Sequence, residues 1–324
     1  EGESYRADAL VALVLSLPEA ELGKALKAVA QFGDERNRAK ALIALAPHLS
    51  ELQLDHVLTL ARKLDEALRV QVLQAAAPFF LVSQLEQALS MVRGLRDETR
   101  RLLALASILP HLPPARRREV LGEAVTRLQK VRQAPLRTQA IRALAPYLRE
   151  TEALFPDALR AAQTIRVESY RAQALAALAP YLPLEQLAML LPSLTAFQSE
   201  AALAEVLTAI VPRLSAPYLE IVLQLTTRMK ESAEQGRVLA VLAAQVAALG
   251  NAERAIDLVG QIHNQAALGQ ALAALAPYLT GQLADKALKL AKEMPDPALR
   301  AKAFTDLAAQ WQNPWHDRAL DGAF

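Results

Sequence analysis

The chain has 324 residues, of which 53% are apolar but only 5% aromatic, and its formal net charge is +2. Alanine and leucine therefore supply most of the expected core, and both residues favour helices. Because the chain contains no cysteine, disulfides and cysteine-bound metals are excluded. The composition predicts a soluble all-α protein.

No run of residues approaches the roughly 18–20 apolar positions that a membrane-spanning helix needs, which argues against a membrane protein. The opening residues EGESYRADAL lack the basic start of a secretory signal peptide. Together with the absence of cysteine, this favours a cytoplasmic location. The chain starts at Glu1, without an initiator methionine, and directly on the second half of a repeat. We therefore expect it to be a piece of a longer protein.

A twelve-residue motif recurs along the chain. Its clearest copies are RAKALIALAPHL (38–49), RTQAIRALAPYL (137–148), RAQALAALAPYL (171–182) and LGQALAALAPYL (268–279). Looser copies bring the total to ten and begin at Arg6, Arg69, Arg101, Leu203, Arg237 and Arg300. Successive copies are 31 to 36 residues apart, close to 33 on average. Such a period predicts an α-solenoid, in which each repeat packs only on its neighbours.

Each repeat is predicted to be a hairpin of two helices, A and B. Helix A is expected to begin at Pro18, at Ser50 with Gln53, at Ser83 with Glu86, at Pro113-Pro114, at Pro183 and at Ser215, because serine followed by Glu or Gln three residues later makes a capping box. Helix B is expected to begin after an N-capping aspartate, namely Asp34, Asp65, Asp97 and Asp296. The motif proline ends or kinks the last turn of helix B.

These elements predict one α-solenoid of about ten helical-hairpin repeats over residues 1–312, wound as a right-handed superhelix. A C-terminal cap or tail is predicted over residues 313–324. The two tryptophans of the chain, Trp311 and Trp315, either cover the apolar end of the stack or flank a truncated further helix A that begins at Pro314.

Two columns of residues recur once per repeat. An arginine stands nine positions before the motif proline in eight of the ten copies, and in four of them an aspartate precedes it by four residues. The residue after the proline is usually a ring: His48, Phe79, His111, Tyr147, Tyr181 and Tyr278, with Arg213 as the exception. Each column has two interpretations. The arginines either pair with acids of their own or an adjacent repeat as a structural ladder or bind phosphates or an acidic partner. The rings either fill gaps between hairpins or stack on bases or hold a peptide.

The segment 93–149 is strongly basic, with 13 Lys/Arg against four Asp/Glu. Its densest point is Arg116-Arg117-Arg118, early in a predicted helix A, where cations oppose the helix dipole. The patch either attracts nucleic acid or an acidic protein surface, or is only a solvated face. The candidate partner-binding residues are Arg38, Arg69, Arg101, Arg137, Arg171, Arg116, Arg117, Arg118, Tyr147, Tyr181 and Tyr278.

No motif of catalysis or cofactor binding occurs. The five histidines show no HExxH spacing, and there is no Walker A, GxGxxG or GxSxG sequence. We therefore expect no enzymatic activity, no cofactor and no metal site in this segment.

Units such as ERNRAKALIALAPHLSELQL (35–54) and SYRAQALAALAPYLPLEQL (169–187) resemble bacterial α-solenoid repeats of the HEAT-like and TPR-like kind. Similar repeats occur in the C-terminal sensor regions of STAND-type signalling ATPases. The resemblance implies a non-enzymatic recognition or scaffold solenoid with a protein or peptide partner, as the sensor part of a larger bacterial protein. Nucleic-acid binding through residues 93–149 is the alternative.

Overall fold

The computed structural model describes residues 2–230, 232–311 and 315–323, with only the backbone described at residues 19 and 323. This part of the chain forms twenty α-helices joined by short turns and 3-10 segments, and it contains no strand. The predicted all-α helical repeat is confirmed. None of the helices in the described ranges is both long and apolar enough to cross a membrane.

The helices alternate between the two positions of the repeat. The B helices are α1 (Gly2–Leu13), α3 (Glu35–Leu45), α5 (Glu66–Ala76), α7 (Glu98–Ile108), α9 (Ala134–Leu144), α11 (Glu168–Leu178), α13 (Glu200–Ile210), α15 (Ala233–Ala248), α17 (Gln265–Leu275) and α19 (Pro297–Gln310). The A helices are α2 (Glu19–Val29), α4 (Glu51–Ala61), α6 (Val82–Arg93), α8 (Pro114–Arg127), α10 (Phe155–Gln163), α12 (Leu184–Leu190), α14 (Ala216–Thr226), α16 (Ala252–Val259), α18 (Gln282–Lys292) and α20 (Trp315–Ala323).

Contacts divide the chain into two compact units, Glu1–Ala162 and Gln163–Phe324. In the first unit the B helices α1, α3, α5, α7 and α9 pack in succession, each on the next. In the second unit α11, α13, α15, α17 and α19 do the same. The A helices pack against these rows, as α6 does on α7 and α18 on α19.

The core follows the alanine and leucine pattern of the motif. The motif leucine five positions before the proline is fully or almost fully buried in both units, as Leu42, Leu73, Leu105, Leu175, Leu207 and Leu272. Burial of one such side chain contributes roughly 1.5–3 kcal/mol. The small alanines between them, such as Ala174 and Ala271, are also buried, which lets neighbouring helices approach closely.

Every aspartate predicted to start a helix B is its N-cap. The carboxylates of Asp34, Asp65, Asp97 and Asp296 each accept hydrogen bonds from first-turn backbone N–H groups. Among the A helices, α4 has the predicted capping box of Ser50 and Gln53. The predicted helix starts at Pro18, Pro113, Pro183 and Ser215 are also confirmed as N-caps.

The prediction for α6 was wrong by two residues. This helix begins after Leu81, and Oε1 of Gln84, not Glu86, accepts from the backbone N–H of the N-cap at 3.0 Å. The reason is burial: Gln84 is 2% exposed and its Nε2 donates to the Glu51 carbonyl at 2.8 Å and to Asp55 Oδ1 at 2.9 Å. Contacts between neighbouring A helices therefore decided that Gln84, and not Glu86, reaches back to the N-cap.

The motif proline fixes the end of helix B. In all seven copies with proline the α-helix ends two residues before it, at Leu45, Ala76, Ile108, Leu144, Leu178, Ile210 and Leu275. In six of these copies a 3-10 turn follows that contains the proline. Proline offers no N–H to the preceding turn and disfavours the α conformation in the residue before it. Where Val246 or Ala309 replaces it, helices α15 and α19 continue through the position, whereas α1 ends at Leu13 and a 3-10 turn follows even with Leu15 in place of proline.

The C-terminal tryptophans have separate roles. Trp311 is 9% exposed, and its indole N–H donates to the Ala276 carbonyl of the preceding repeat at 2.8 Å. Trp315 begins α20, which packs on α18 and α19. A further helix A is therefore present, while Pro314, its predicted start, lies outside the described residues.

Candidate functional site

The arginine column holds the two helices of a hairpin together. In six of its eight members the side chain, on helix B, donates to a backbone carbonyl at the A–B turn of its own repeat, whereas Arg6 donates to the Gly2 carbonyl of its own helix. Arg137 Nε donates to the Val131 carbonyl at 2.7 Å, Arg171 Nη1 to Ile165 at 3.1 Å and Arg300 Nη1 to Met294 at 2.8 Å. The other members with this bond are Arg38 on Phe32, Arg69 on Leu64 and Arg101 on Leu95.

This geometry differs from the predicted ladder, in which each arginine pairs with an acid of its own or an adjacent repeat. The aspartates cap their helices, and the nearby acids that do pair are Glu98 with Arg101 at 3.1 Å and Glu168 with Arg171 at 3.4 Å. Carbonyls at the end of a helix lack partners within the helix, which is why a guanidinium is suited to this position. Of the two interpretations of the column, the contacts favour the structural one.

A second ladder, which the sequence analysis missed, links neighbouring repeats at six places in the described chain. The first or second residue of a helix B is often a glutamate, whose carboxylate accepts from backbone N–H groups at the A–B turn of the following repeat. Glu3 accepts from Gly33 and Asp34, both at 3.0 Å. The same bonds run from Glu35 to Asp65, from Glu66 to Arg96, from Glu168 to Ser199, from Glu200 to Lys230 and, with an amide, from Gln265 to Asp296. The Asp-Glu pairs at 34–35 and 65–66 were the available signal.

The ladder lowers the pKa of three of its glutamates, Glu3, Glu66 and Glu168. For Glu168 the backbone N–H of Ser199 is the main cause, and the Gln198 N–H and Arg171 add to it against the opposing effect of partial burial. The pKa values of Glu3 and Glu66 are lowered mainly by the same kind of backbone hydrogen bond. A carboxyl whose pKa is lower in the folded state stabilises the fold above its unfolded pKa and loses this contribution as the pH falls.

We expect Glu168→Gln to lower the free energy of unfolding at neutral pH by about 1 kcal/mol, the value of a partly solvated charge-assisted hydrogen bond. Because the wild-type carboxyl becomes protonated in acid, the difference should shrink as the pH falls from about 5 through the lowered pKa of Glu168. Urea unfolding followed by circular dichroism at several pH values measures this. Glu185→Gln on α12, at an exposed position, is the control. A difference that does not depend on pH would contradict the ladder.

The ring column lies at the surface. Phe79 and Tyr278 are exposed by 40% and 44%, and Tyr147 and Tyr181 are half-buried. Arg117 lies over the Tyr147 ring, 5.6 Å from its centre, and pairs with Glu150 at 2.8 Å. Burial lowers the pKa of His111. The Tyr147 ring is thus already occupied on one face by a cation of its own chain.

Part of the basic segment is neutralised within the first unit: among the described residues, at least five of its 13 Lys/Arg have carboxylate partners. Arg116 pairs with Glu86 of the preceding helix A at 2.7 Å and also with Glu119. Arg93 pairs with Glu123 at 2.9 Å, and Arg127 with Glu98 at 2.8 Å. Arg118, by contrast, is exposed and has no carboxylate partner within the described residues. The triplet therefore supplies one unpaired cation rather than three.

A groove runs across the B helices of the first unit. It has a volume of about 340 Å³ and is lined by α5, α7 and α9. Apolar groups form much of the lining, among them Val70, Leu103 and Ala143. The side-chain amides of Gln71, Gln74 and Gln139 also line it, and in the described part of the chain they have no hydrogen-bond partner.

A charged cavity of about 750 Å³ adjoins this groove at the start of α5 and α7. Ala67 and Arg100 line both spaces. The charged residues around the cavity are Asp65, Glu66, Arg69, Arg96 and Arg100. Within the described residues, no group of three or more potential metal ligands lies close together.

Comparisons with known proteins show no family for this chain. No family model matches it, and no curated protein does. Among solved structures it is similar to the crystal structure of Ton1535 from Thermococcus onnurineus NA1, at 15% identity over 94% of this chain and 99% of that one, with a TM-score of 0.35. A structure described as "Computational Design of Self-Assembling Cyclic Protein Homooligomers" matches at 16% identity over 99% of both chains, with a TM-score of 0.14.

Proposed function

We propose that this helical-repeat protein is a non-enzymatic recognition scaffold that binds a protein or peptide partner across its B helices. The groove on α5, α7 and α9 supports this, because it combines apolar surface with amide side chains that have no partner in the described chain. Stacked hairpins form extended binding surfaces of this type. By its resemblance to HEAT-like and TPR-like repeats, the scaffold serves as the cytoplasmic sensor part of a larger bacterial signalling protein of the STAND type.

The contacts change which residues we propose for binding. Arg38, Arg69, Arg101, Arg137 and Arg171 are engaged by carbonyls of their own repeats, so we assign them to the stability of the scaffold. The exposed groove residues Gln71, Gln139 and Arg100 take their place in the proposal.

The carboxylate partners of several arginines in the basic segment favour a protein partner over nucleic acid. Binding to a phosphate backbone draws on many unpaired cations, whereas Arg93, Arg116, Arg117 and Arg127 have carboxylate partners. The ring that would stack on a base at Tyr147 is covered by Arg117.

Site-specific photo-crosslinking in the native cells tests the proposal. A photoreactive phenylalanine analogue at Gln71 or Gln139 should give discrete adducts that contain peptide from another protein. The same analogue at the exposed Ser83 or Ser90 of α6 serves as the matched control and should give none. Equal adducts at all four positions, or adducts with nucleic acid alone, would refute the assignment of the B-helix groove.

A further inference from the structure

Some of the charged residues around the cavity beside the groove already have hydrogen-bond partners, and others do not. The Asp65 carboxylate accepts from the Leu68 N–H at 2.9 Å. The Glu66 carboxylate accepts from the backbone N–H of Arg96 at 2.8 Å and of Asp97 at 3.4 Å. Both acids are therefore held by the backbone of their own unit. Neither carboxylate forms a salt bridge with a cavity arginine within the described residues.

The cavity arginines fall into two groups. Arg69 donates to the carbonyls of Leu64 at 2.8 Å and Arg62 at 3.2 Å and is committed to the A–B turn. The guanidinium groups of Arg96 and Arg100 are exposed and make no hydrogen bond or salt bridge within the described chain. Their positive charges help to lower the pKa of Glu66, after the larger effect of its backbone hydrogen bond to Arg96. Two cations are thus left for a ligand.

Arg100 connects the cations to the apolar groove, because it lines both spaces. On α7 it precedes Leu103 and Ser107, which are also in the groove lining, by about one and two helical turns. A ligand lying along α7 would meet a cation first and then apolar surface. The amides of Gln71 and Gln74 face the same groove from α5.

We infer that the groove binds an acidic peptide segment. Its carboxylates pair with Arg96 and Arg100, its apolar side chains pack on Val70 and Leu103, and its main-chain amides bond with the glutamines of the lining. This inference rests on the proposed function and adds the chemistry of the partner. Planar guanidinium groups match carboxylates with two parallel hydrogen bonds, and glutamine both donates to and accepts from a peptide group.

Selection of a displayed random-peptide library on the full chain tests this inference. The selected peptides should be enriched in Asp and Glu next to apolar residues. A labelled selected peptide, a version with Asn and Gln in place of its acids, and oligothymidine and oligouridine strands are then compared by fluorescence anisotropy. The acidic peptide should bind most tightly, with an affinity that weakens as salt is added.

Variants at the two cations locate the site. In the double variant R96E/R100E the Kd of the acidic peptide should rise at least about tenfold, and about threefold or more in the milder R100Q, because charge-assisted pairs are lost. R118E reverses one charge on α8, half the charge change of the double variant, at an exposed arginine outside both linings, and should leave the Kd unchanged. Circular dichroism verifies that each variant keeps its helices.

Other outcomes overturn the inference in different ways. If the selected peptides show no acidic preference and R96E/R100E binds them as the wild type does, the acidic partner is wrong, and crosslinking at Gln71 still decides the proposed function. If the oligonucleotides bind more tightly than any peptide and R96E/R100E abolishes that binding, the ligand is a nucleic acid. Equal losses in R118E and R96E/R100E would show attraction to overall charge and no site.

Discussion

Replacing Arg137 with alanine is expected to lower the free energy of unfolding by about 2–4 kcal/mol, the range for breaking a buried hydrogen-bond arrangement. Arg137 is only 9% exposed, and its guanidinium donates to the carbonyls of Val131 at 2.7 Å and Gln129 at 3.4 Å. Burial lowers the pKa of Arg137, yet the group stays protonated, since arginine does not lose its charge in proteins. Alanine would leave the turn carbonyls without this donor and remove the packing of the side-chain stem.

Arg142→Ala provides the matched control for Arg137→Ala. Arg142 lies on the same helix α9 but is exposed, so its loss should change the stability by no more than about 0.5 kcal/mol. Urea unfolding followed by circular dichroism gives both values. If the two variants are equally stable, the arginine column does not hold the hairpins together and the assignment to the scaffold fails.

The second large effect is expected at a glycine where two B helices come close. A Cβ atom on Gly236 in α15 would lie 2.8 Å from the Cβ of Ala267 in α17 and 3.3 Å from Cγ2 of Ile262. Ala267 is attached directly to the backbone of its helix, so it cannot move aside cheaply. Crowding of this kind costs about 1–3 kcal/mol, which exceeds the gain of up to about 1 kcal/mol from replacing a helical glycine. Gly236→Ala should therefore destabilise the second unit.

Gly122→Ala is the matched control for Gly236→Ala. Gly122 lies inside helix α8, and its added Cβ would meet nothing within 4 Å. The same substitution should therefore stabilise the first unit by about 0.5–1 kcal/mol through helix propensity alone. Thermal and urea unfolding of both variants measure whether each substitution raises or lowers the free energy of unfolding. If Gly236→Ala also raises stability, the packing of α15 on α17 is looser than the structure shows.

Correct predictions came from local rules. Asp97 accepts from the backbone two and three residues ahead, so the sequence within one turn identifies it as a cap. The motif proline acts on the residues just before it, and each helix B ends where this requires. The start of α6 was misplaced because the bonds of Gln84 reach Glu51 and Asp55 on another helix.

Local rules were also insufficient for the candidate binding residues, because the contacts of these residues are made with other helices and turns. The arginines were identified as a column, but the carbonyls they bind lie on a turn whose geometry no pattern of charges reveals. The triplet Arg116-Arg117-Arg118 counts as three cations in the sequence, and contacts with Glu86 and Glu150 reduce it to one. The groove was not predicted at all, since its lining residues come from three repeats.

The sequence by itself determined the repeat period, the helix pairs and the alanine and leucine core, because helix propensity, capping and apolar spacing act over a few residues. Tertiary structure alone decided which charges remain unpaired. The glutamate ladder joins residues about 30 positions apart, and its bonds exist only when neighbouring repeats stack. Once the repeats stack, the guanidinium groups of Arg96 and Arg100 have no partner in the described chain. The site that they form therefore exists only in the assembled repeats.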